Sequence, residues 1–189
     1  MPEGPASLVI LDRDGVINRD SEAYIRCADE FDSLPGSIEA IGELCRAGFR
    51  VAVASNQSGV GRGLFSAEDL ENIHAKLRAE VEAAGGSLAG IFVCPHTPED
   101  DCDCRKPRPG LLRQAAAALA SDLDGVPVIG DSARDLDAAL AAEAQPVLVR
   151  TGNGRRTESD LGADSPIRVY DDLRAAAAAI IAERRRAVS

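Results

Sequence analysis

Residues 8–18 read LVILDRDGVIN: four apolar residues, then two aspartates, Asp12 and Asp14, one position apart. A short unbroken apolar run is the pattern of a strand buried on both faces of a parallel sheet. Ligands of open α/β sheets bind beyond the carboxyl ends of such strands, so Asp12 and Asp14 are offered at the mouth of a sheet. Two carboxylates this close repel and raise one another's pKa unless a cation or a proton separates their roles. The pair asks for a metal ion, a general acid, or both.

Outward from this strand, apolar runs alternate with helical patterns, the signature of βα units around a mainly parallel sheet. Pro35-Gly36 introduces a helix carrying Ile38, Ile41, Leu44 and Cys45 and ended by Gly48, followed by a strand over 50–54. Ser66 with Asp69 resembles a capping box, after which Leu70, Ile73, Leu77 and Val81 recur at helical spacing up to Gly85-Gly86. Strands over 90–94, 127–129, 147–150 and 168–170, helices over 111–119 and 136–143 and a final Ala-rich helix running to Arg186 complete the pattern. The polar, glycine-containing stretch 151–166 reads as a loop.

The chain has 189 residues, 45% of them hydrophobic, which predicts one domain with a core of Ala, Val, Leu and Ile. A net charge of −10 argues against nucleic acid or an anionic membrane as partners, since both require a basic surface. An anionic substrate must find a local basic pocket instead. No apolar stretch approaches a bilayer span, and MPEGPAS lacks the pattern of a signal peptide, so a cytoplasmic protein is expected. Of five cysteines, three crowd between 94 and 104, a pattern of metal binding rather than of disulfides.

Three further polar clusters follow predicted strands and converge on the edge that holds Asp12 and Asp14. SNQSGVGRG, residues 55–63, offers a hydroxyl, amides and glycines suited to phosphate oxygens. The cysteine-rich loop ends in Arg105 and Lys106, and GDSARD, residues 130–135, supplies Asp131 and Asp135. Within CPHTPEDDCDC, residues 94–104, Cys94, His96, Cys102 and Cys104 form a CxHx5CxC set, matching a closed tetrahedral structural zinc site. Bound zinc would fix a loop too short to pack alone and thereby aim Arg105 and Lys106.

The ordered motifs DxDGV, SNQSG, RKP and GDxxxD resemble those of the haloacid dehalogenase (HAD) superfamily of phosphohydrolases, over residues 7 to 150. The resemblance implies a Rossmann-like α/β/α fold in which Asp12 is the nucleophile and Asp14 the general acid and base. It further implies that Ser55 and Lys106 hold the transferring phosphoryl group, and that Asp12, Asp131 and the Asp14 carbonyl bind magnesium. DRDGVIN, SNQSGVGRG, the zinc loop, CRKPRPG and LVRTGNGRRT together look like the D-glycero-D-manno-heptose-1,7-bisphosphate 7-phosphatases. That family removes the 7-phosphate in the cytoplasm, towards nucleotide-activated heptose for the lipopolysaccharide core. Its matching substrate contacts are Asp20, Asn56, Gln57, Ser58 and Arg105. Ser55 stands where many relatives have threonine, and the stretch between His96 and Cys102 is shorter than in some members.

Neither the gap from Asp14 to Ser55 nor that from Ser55 to Lys106, about forty and fifty residues, holds a folded lid. Specificity is therefore assigned to loops at about 20–32, 94–106 and 151–157, with Arg62, Arg105, Arg155 and Arg156 as candidates to grip a second phosphate. The expected partner is a small phosphorylated sugar bound by a monomer. Histidinol-phosphate phosphatases share the DxD motif and a similar zinc loop and are the alternative enzyme reading. A zinc-stabilised binding module is the non-enzyme one, although every catalytic group is present. Asp135 is a candidate support for the metal site. Cys27 and Cys45 read as half-buried thiols, and His74 as a surface or satisfied histidine.

Overall fold

The computed structural model describes residues 8–162 and 164–188; the MPEGPAS stretch read for a leader lies outside them. The chain runs β1 (Leu8–Leu11), α1 (Ser37–Arg46), β2 (Arg50–Asn56), a short α2 (Ser58–Gly61), α3 (Ala67–Ala83), β3 (Leu88–Cys94) and α4 (Gly110–Ala118). It continues through β4 (Pro127–Gly130), α5 (Ala133–Ala141), β5 (Gln145–Val149), α6 (Gly154–Leu161), β6 (Arg168–Tyr170) and α7 (Leu173–Val188). Among the described residues six strands form one sheet in the order β3-β2-β1-β4-β5-β6, with every pairing parallel. Chain order reverses at β1, which lies between β2 and β4, and a crevice opens at such a switch point beyond the carboxyl ends.

Alternation along β1 makes the layers. Val9 and Leu11 join Val51, Val53 and the apolar faces of α1, α3 and α7, whereas Leu8 and Ile10 join Ala52, Ala54, α4 and α5 on the other face. All four β1 side chains are buried, each contributing roughly 1.5–3 kcal/mol relative to exposure. This is the expected three-layer α/β/α arrangement of a HAD-like fold. The predicted capping box is present on α3: Ser66 Oγ accepts from the Asp69 amide at 3.0 Å, and the Ser66 amide donates to Asp69 Oδ2 at 2.8 Å.

Between β1 and α1 the chain folds over the sheet edge, with short bridges joining Asn18 to Asp14 and to Ser33. Lys76 on α3 pins this flap, its Nζ donating to the Ala28 and Phe31 carbonyls at 3.0 and 2.8 Å. The stretch 151–166, expected to be a loop, contains α6. Its residues GRRTESDL have almost no apolar face, so periodicity gives no sign of it. Tertiary bonds hold it instead: Thr157 Oγ1 donates to the Asp131 carbonyl at 2.9 Å, and Arg150 pairs with Glu158 at 2.7 Å. Helix α5 starts three residues earlier than its apolar pattern suggests, because Asp135 accepts from the Ser132 amide and hydroxyl and fixes the first turn.

Candidate active site

Lys106 enters the crevice with 3% of its surface exposed, and its Nζ lies 2.9 Å from Asp12 Oδ1, 2.8 Å from the Ala54 carbonyl and 2.5 Å from Asp135 Oδ1. An ammonium has three hydrogens, so every donor is engaged, and contact with a phosphoryl oxygen requires an exchange. Its backbone is fixed separately. Asn56 Nδ2 donates to the Lys106 carbonyl and Asn56 Oδ1 accepts from the Lys106 amide, both at 3.0 Å.

The charges around Lys106 do not balance. Burial, with Asp135 next in weight, pushes the Asp12 carboxyl up to about 8, and burial pushes Asp131 up to about 6 against the pull of Asn153. Burial acts on Asp135 as well, but Lys106 and Ser132 outweigh it and hold Asp135 below the usual carboxylate range. Lysine 106 therefore serves Asp135 first and leaves Asp12 short of positive charge. Carboxylate oxygens of Asp12, Asp131 and Asp135 lie within 4.8 Å of one another, three acids against one lysine. Fully ionised, these oxygen donors carry two negative charges beyond the lysine, which fits a hard divalent cation such as magnesium. Asp135, spent on Lys106 and Ser132, supports this site from behind, while Asp12 and Asp131 each keep an oxygen without a hydrogen bond among the described residues.

Asp131 is boxed in by two glycines. A Cβ on Gly15 (φ +82°) or Gly152 (φ +56°) would meet Asp131 Oδ2 at 2.2 or 2.1 Å, so neither position accepts a side chain. The Asn153 amide and Nδ2 donate to the same oxygen at 2.8 and 3.1 Å, and Asn153 Nδ2 also lies 3.4 Å from Asp20. Sequence reading missed Asn153; its Gly-Asn-Gly context signals only a turn.

Asp14 carries more hydrogen bonds than sequence suggests. Arg13, fully buried, donates from Nε at 3.1 Å and from Nη2 to both carboxylate oxygens, at 2.9 and 3.1 Å. Asn18 Nδ2 and Gln57 Nε2 add bonds of 2.9 and 2.8 Å. Gln57 Nε2 also donates to Ser55 Oγ at 2.8 Å, leaving the serine hydroxyl hydrogen available to a ligand. Asn56 and Gln57, expected as substrate contacts, thus spend polar atoms on Lys106, Asp14 and Ser55 while lining the same cavity.

That cavity, of about 270 Å³, is lined by all four catalytic candidates and by Asp131, Asp20 and Ser58. Its arginines are Arg62, Arg105 and Arg134; Arg155 and Arg156 project from α6 into solvent and do not line it. Arg134 gave no sequence signal beyond its place in GDSARD.

Beside the cavity, Cys94, His96, Cys102 and Cys104 come together as their spacing predicts. Cys104 Sγ lies 3.2, 3.5 and 3.3 Å from Cys94 Sγ, Cys102 Sγ and His96 Nδ1, and Cys94 Sγ lies 3.6 and 3.5 Å from Cys102 Sγ and His96 Nδ1. Thiolates bonded to zinc at ~2.3 Å would stand about 3.8 Å apart at the corners of a tetrahedron, so the set fits zinc after slight expansion. Burial pushes the Cys94 thiol up to about 12, so a cation is needed to hold that sulfur as a thiolate. Arg108 staples the loop through the Asp101 and Cys102 carbonyls, at 2.8 and 3.0 Å, and Arg105 Nη1 donates to the His96 carbonyl at 3.2 Å. The loop thereby touches the arginine it is expected to aim.

Residues 103–176 match a family model described as HAD-hydrolase-like. The D-glycero-beta-D-manno-heptose-1,7-bisphosphate 7-phosphatase of Pseudomonas putida is 52% identical over 174 residues, spanning 92% of this chain and 99% of that protein. Among solved structures, the D,D-heptose 1,7-bisphosphate phosphatase of Bordetella bronchiseptica, complexed with magnesium and phosphate, is similar with a TM-score of 0.90 at 48% identity, covering 94% of this chain and 99% of that one. The Burkholderia thailandensis phosphatase of the same description gives 0.73 at 39% identity, covering 93% and 98%. With likeness at this level over nearly its whole length, the chain belongs to the D-glycero-D-manno-heptose-1,7-bisphosphate 7-phosphatase family of HAD-like hydrolases.

Proposed function

We infer that the chain is a magnesium-dependent phosphomonoester hydrolase that removes the 7-phosphate of D-glycero-D-manno-heptose 1,7-bisphosphate. The observation that carries this reading is the meeting of Asp12, Asp131, Asp135 and buried Lys106 at the β1/β4 switch point, in a chain so similar to enzymes of that name. Asp12, Asp131 and the Asp14 carbonyl are the proposed holders of magnesium, whose charge, when bound, offsets the repulsion between Asp12 and a phosphate.

The protein groups divide the chemistry. Asp12 attacks phosphorus as the bond to the leaving oxygen breaks, and Asp14 gives that oxygen a proton. Water then attacks the aspartyl phosphate, Asp14 takes its proton, and the Asp12 carboxylate leaves. Lys106 exchanges its bond to Asp12 for a phosphoryl oxygen, and Ser55 donates its hydroxyl hydrogen to another. Asp20, Ser58 and Arg105, with Asn56 and Gln57 on the same wall, form the proposed substrate surface, to which Arg62 and Arg134 add charge. Zinc on Cys94, His96, Cys102 and Cys104 is structural: four protein ligands leave no open position.

The proposal includes a cytoplasmic monomer acting on a small sugar phosphate. No helix among the described residues is long and apolar enough to cross a membrane, and the net charge of −10 disfavours polyanionic partners. The test is phosphate release with magnesium from heptose bisphosphate, histidinol phosphate and simple sugar monophosphates, with the position of the lost phosphate located. The expected result is the highest kcat/KM on the bisphosphate, with the 7-phosphate lost; preference for histidinol phosphate overturns the substrate assignment.

A further inference from the structure

His74 faces inward from α3 at 4% exposure, and the reaction above makes no use of it. Its Nδ1 lies 3.9 Å from the exposed Glu71 carboxylate, while Nε2 is buried without a partner among the described residues. Burial, then the charges of Arg13 and Arg78, push its pKa down to about 4, so the ring is neutral near pH 7. With its N–H turned towards Glu71, such a ring presents Nε2 inward as an acceptor.

Arg13 has the complementary problem. Its Nε and Nη2 are spent on Asp14, but Nη1, with two hydrogens, is buried and unpartnered. A buried donor left unpaired has lost its water without replacement, and that is costly. The buried acceptors without partners among the described side chains are Asn18 Oδ1, from a residue bonded to Asp14, and His74 Nε2, in the field of Arg13. These three buried atoms are all without a hydrogen-bond partner among the described residues, and none of them bonds another.

We propose that His74 and Arg13 are positioning residues for the reaction: the buried His74 ring backs the Arg13 guanidinium, and the Arg13 fork sets the orientation in which Asp14 delivers its proton to the leaving oxygen. The proposal rests on the assignment of Asp14 as general acid and base. Arg13 transfers nothing and stays charged throughout. The planar fork meets both Asp14 oxygens, which a lysine point charge does not reproduce.

Leaving groups separate this role from a merely structural one. An alkoxide needs the proton from Asp14, whereas 4-nitrophenolate departs without it. First-turnover rates of leaving-group release are measured by rapid quench for a sugar monophosphate and for 4-nitrophenyl phosphate, with zinc content and circular dichroism as checks on folding. Arg13→Met is expected to slow the sugar phosphate about 100-fold and the nitrophenyl ester less than about fivefold, with KM changed by less than about threefold. His74→Leu shifts both in the same sense by about tenfold and twofold, and His74→Gln, which keeps a side-chain acceptor, recovers part of the loss. Should Arg13→Met not fold, Arg13→Lys and His74→Leu carry the test. Equal losses on both esters, or none, overturn the proposal. Asp14→Asn is run alongside. If it lacks the leaving-group dependence, the acid–base assignment fails; if it alone shows the dependence, only the role of Arg13 and His74 fails.

Discussion

In the carboxylate pocket the ligands come from distant parts of the chain, Asp12 after β1 and Asp131 and Asp135 after β4, with Lys106 arriving from a loop. In the cysteine loop all four come from one stretch, residues 94–104, of which only Cys94 is fully buried. The pocket is held by the sheet and by side-chain bonds already complete in the protein, such as those of Lys106 with Ala54 and Asp135. The loop has an arginine staple and a single turn of 3-10 helix, Pro98–Asp100, too little to order it. Magnesium would therefore join a pocket framed by the sheet, whereas zinc would tie together a loop that has few other bonds of its own.

Asp12→Asn bears most heavily on the first half of this contrast. Phosphate release should fall by about 10⁴-fold or more, while zinc content and the far-ultraviolet circular dichroism stay unchanged. Appreciable turnover in that variant removes Asp12 as nucleophile. Next in size, Arg105→Ala should raise KM for the bisphosphate about 100-fold and for a simple monophosphate only a few-fold, because a charge-assisted bond to the second phosphate is lost. Equal effects on both would place Arg105 outside the specificity surface.

Cys102→Ser combined with Cys104→Ser tests how far the two regions are independent. Metal analysis should find no stoichiometric zinc, yet kcat on a monophosphate should drop only about tenfold, since Asn56 holds Lys106 from β2. Complete inactivity with an intact sheet would falsify that separation.

The smallest effect is one of pH. Asp12 and Asp131 have folded pKa values raised from 3.8 to about 8 and about 6, so without magnesium the native state retains protons that the unfolded chain releases. Their contribution to stability is complete below about pH 4 and is lost as pH rises towards 8. Urea melts of zinc-loaded, magnesium-free protein should show lower stability at pH 8 than at pH 5.5 from these groups, and saturating magnesium should flatten the slope. The cysteine loop runs the other way, because its thiols must shed protons to bind zinc, which acid therefore releases.

The readable parts of the sequence were those with local signals: an apolar strand before DRDG, a capping box before α3, a ligand set with metal spacing. Arg13 stayed hidden because a buried arginine inside a polar phrase breaks no periodicity; its place under Asp14 exists only once Asn18 and Gln57 close around it. Arg155 and Arg156 misled for the opposite reason. Their loop-like context concealed α6, and the helix carries them into solvent, while Arg134 and Arg62 reach the cavity from α5 and from the end of α2. His74 fits the apolar register of α3, so the register shows it on the inner face but not how deeply tertiary packing buries it. Asp135 was half legible: its spacing from Asp131 suggested support for the metal, but its bond to Lys106 needs the third dimension.

The reciprocal pair of bonds between Asn56 and Lys106 has an evolutionary reading. Because an asparagine at the end of β2 fixes where that lysine stands, the segment between His96 and Cys102 is insulated from the reaction centre. Its length and charge can therefore drift without moving the lysine, and exchanging the segment for that of a relative should leave the rate of phosphoryl transfer nearly as it was.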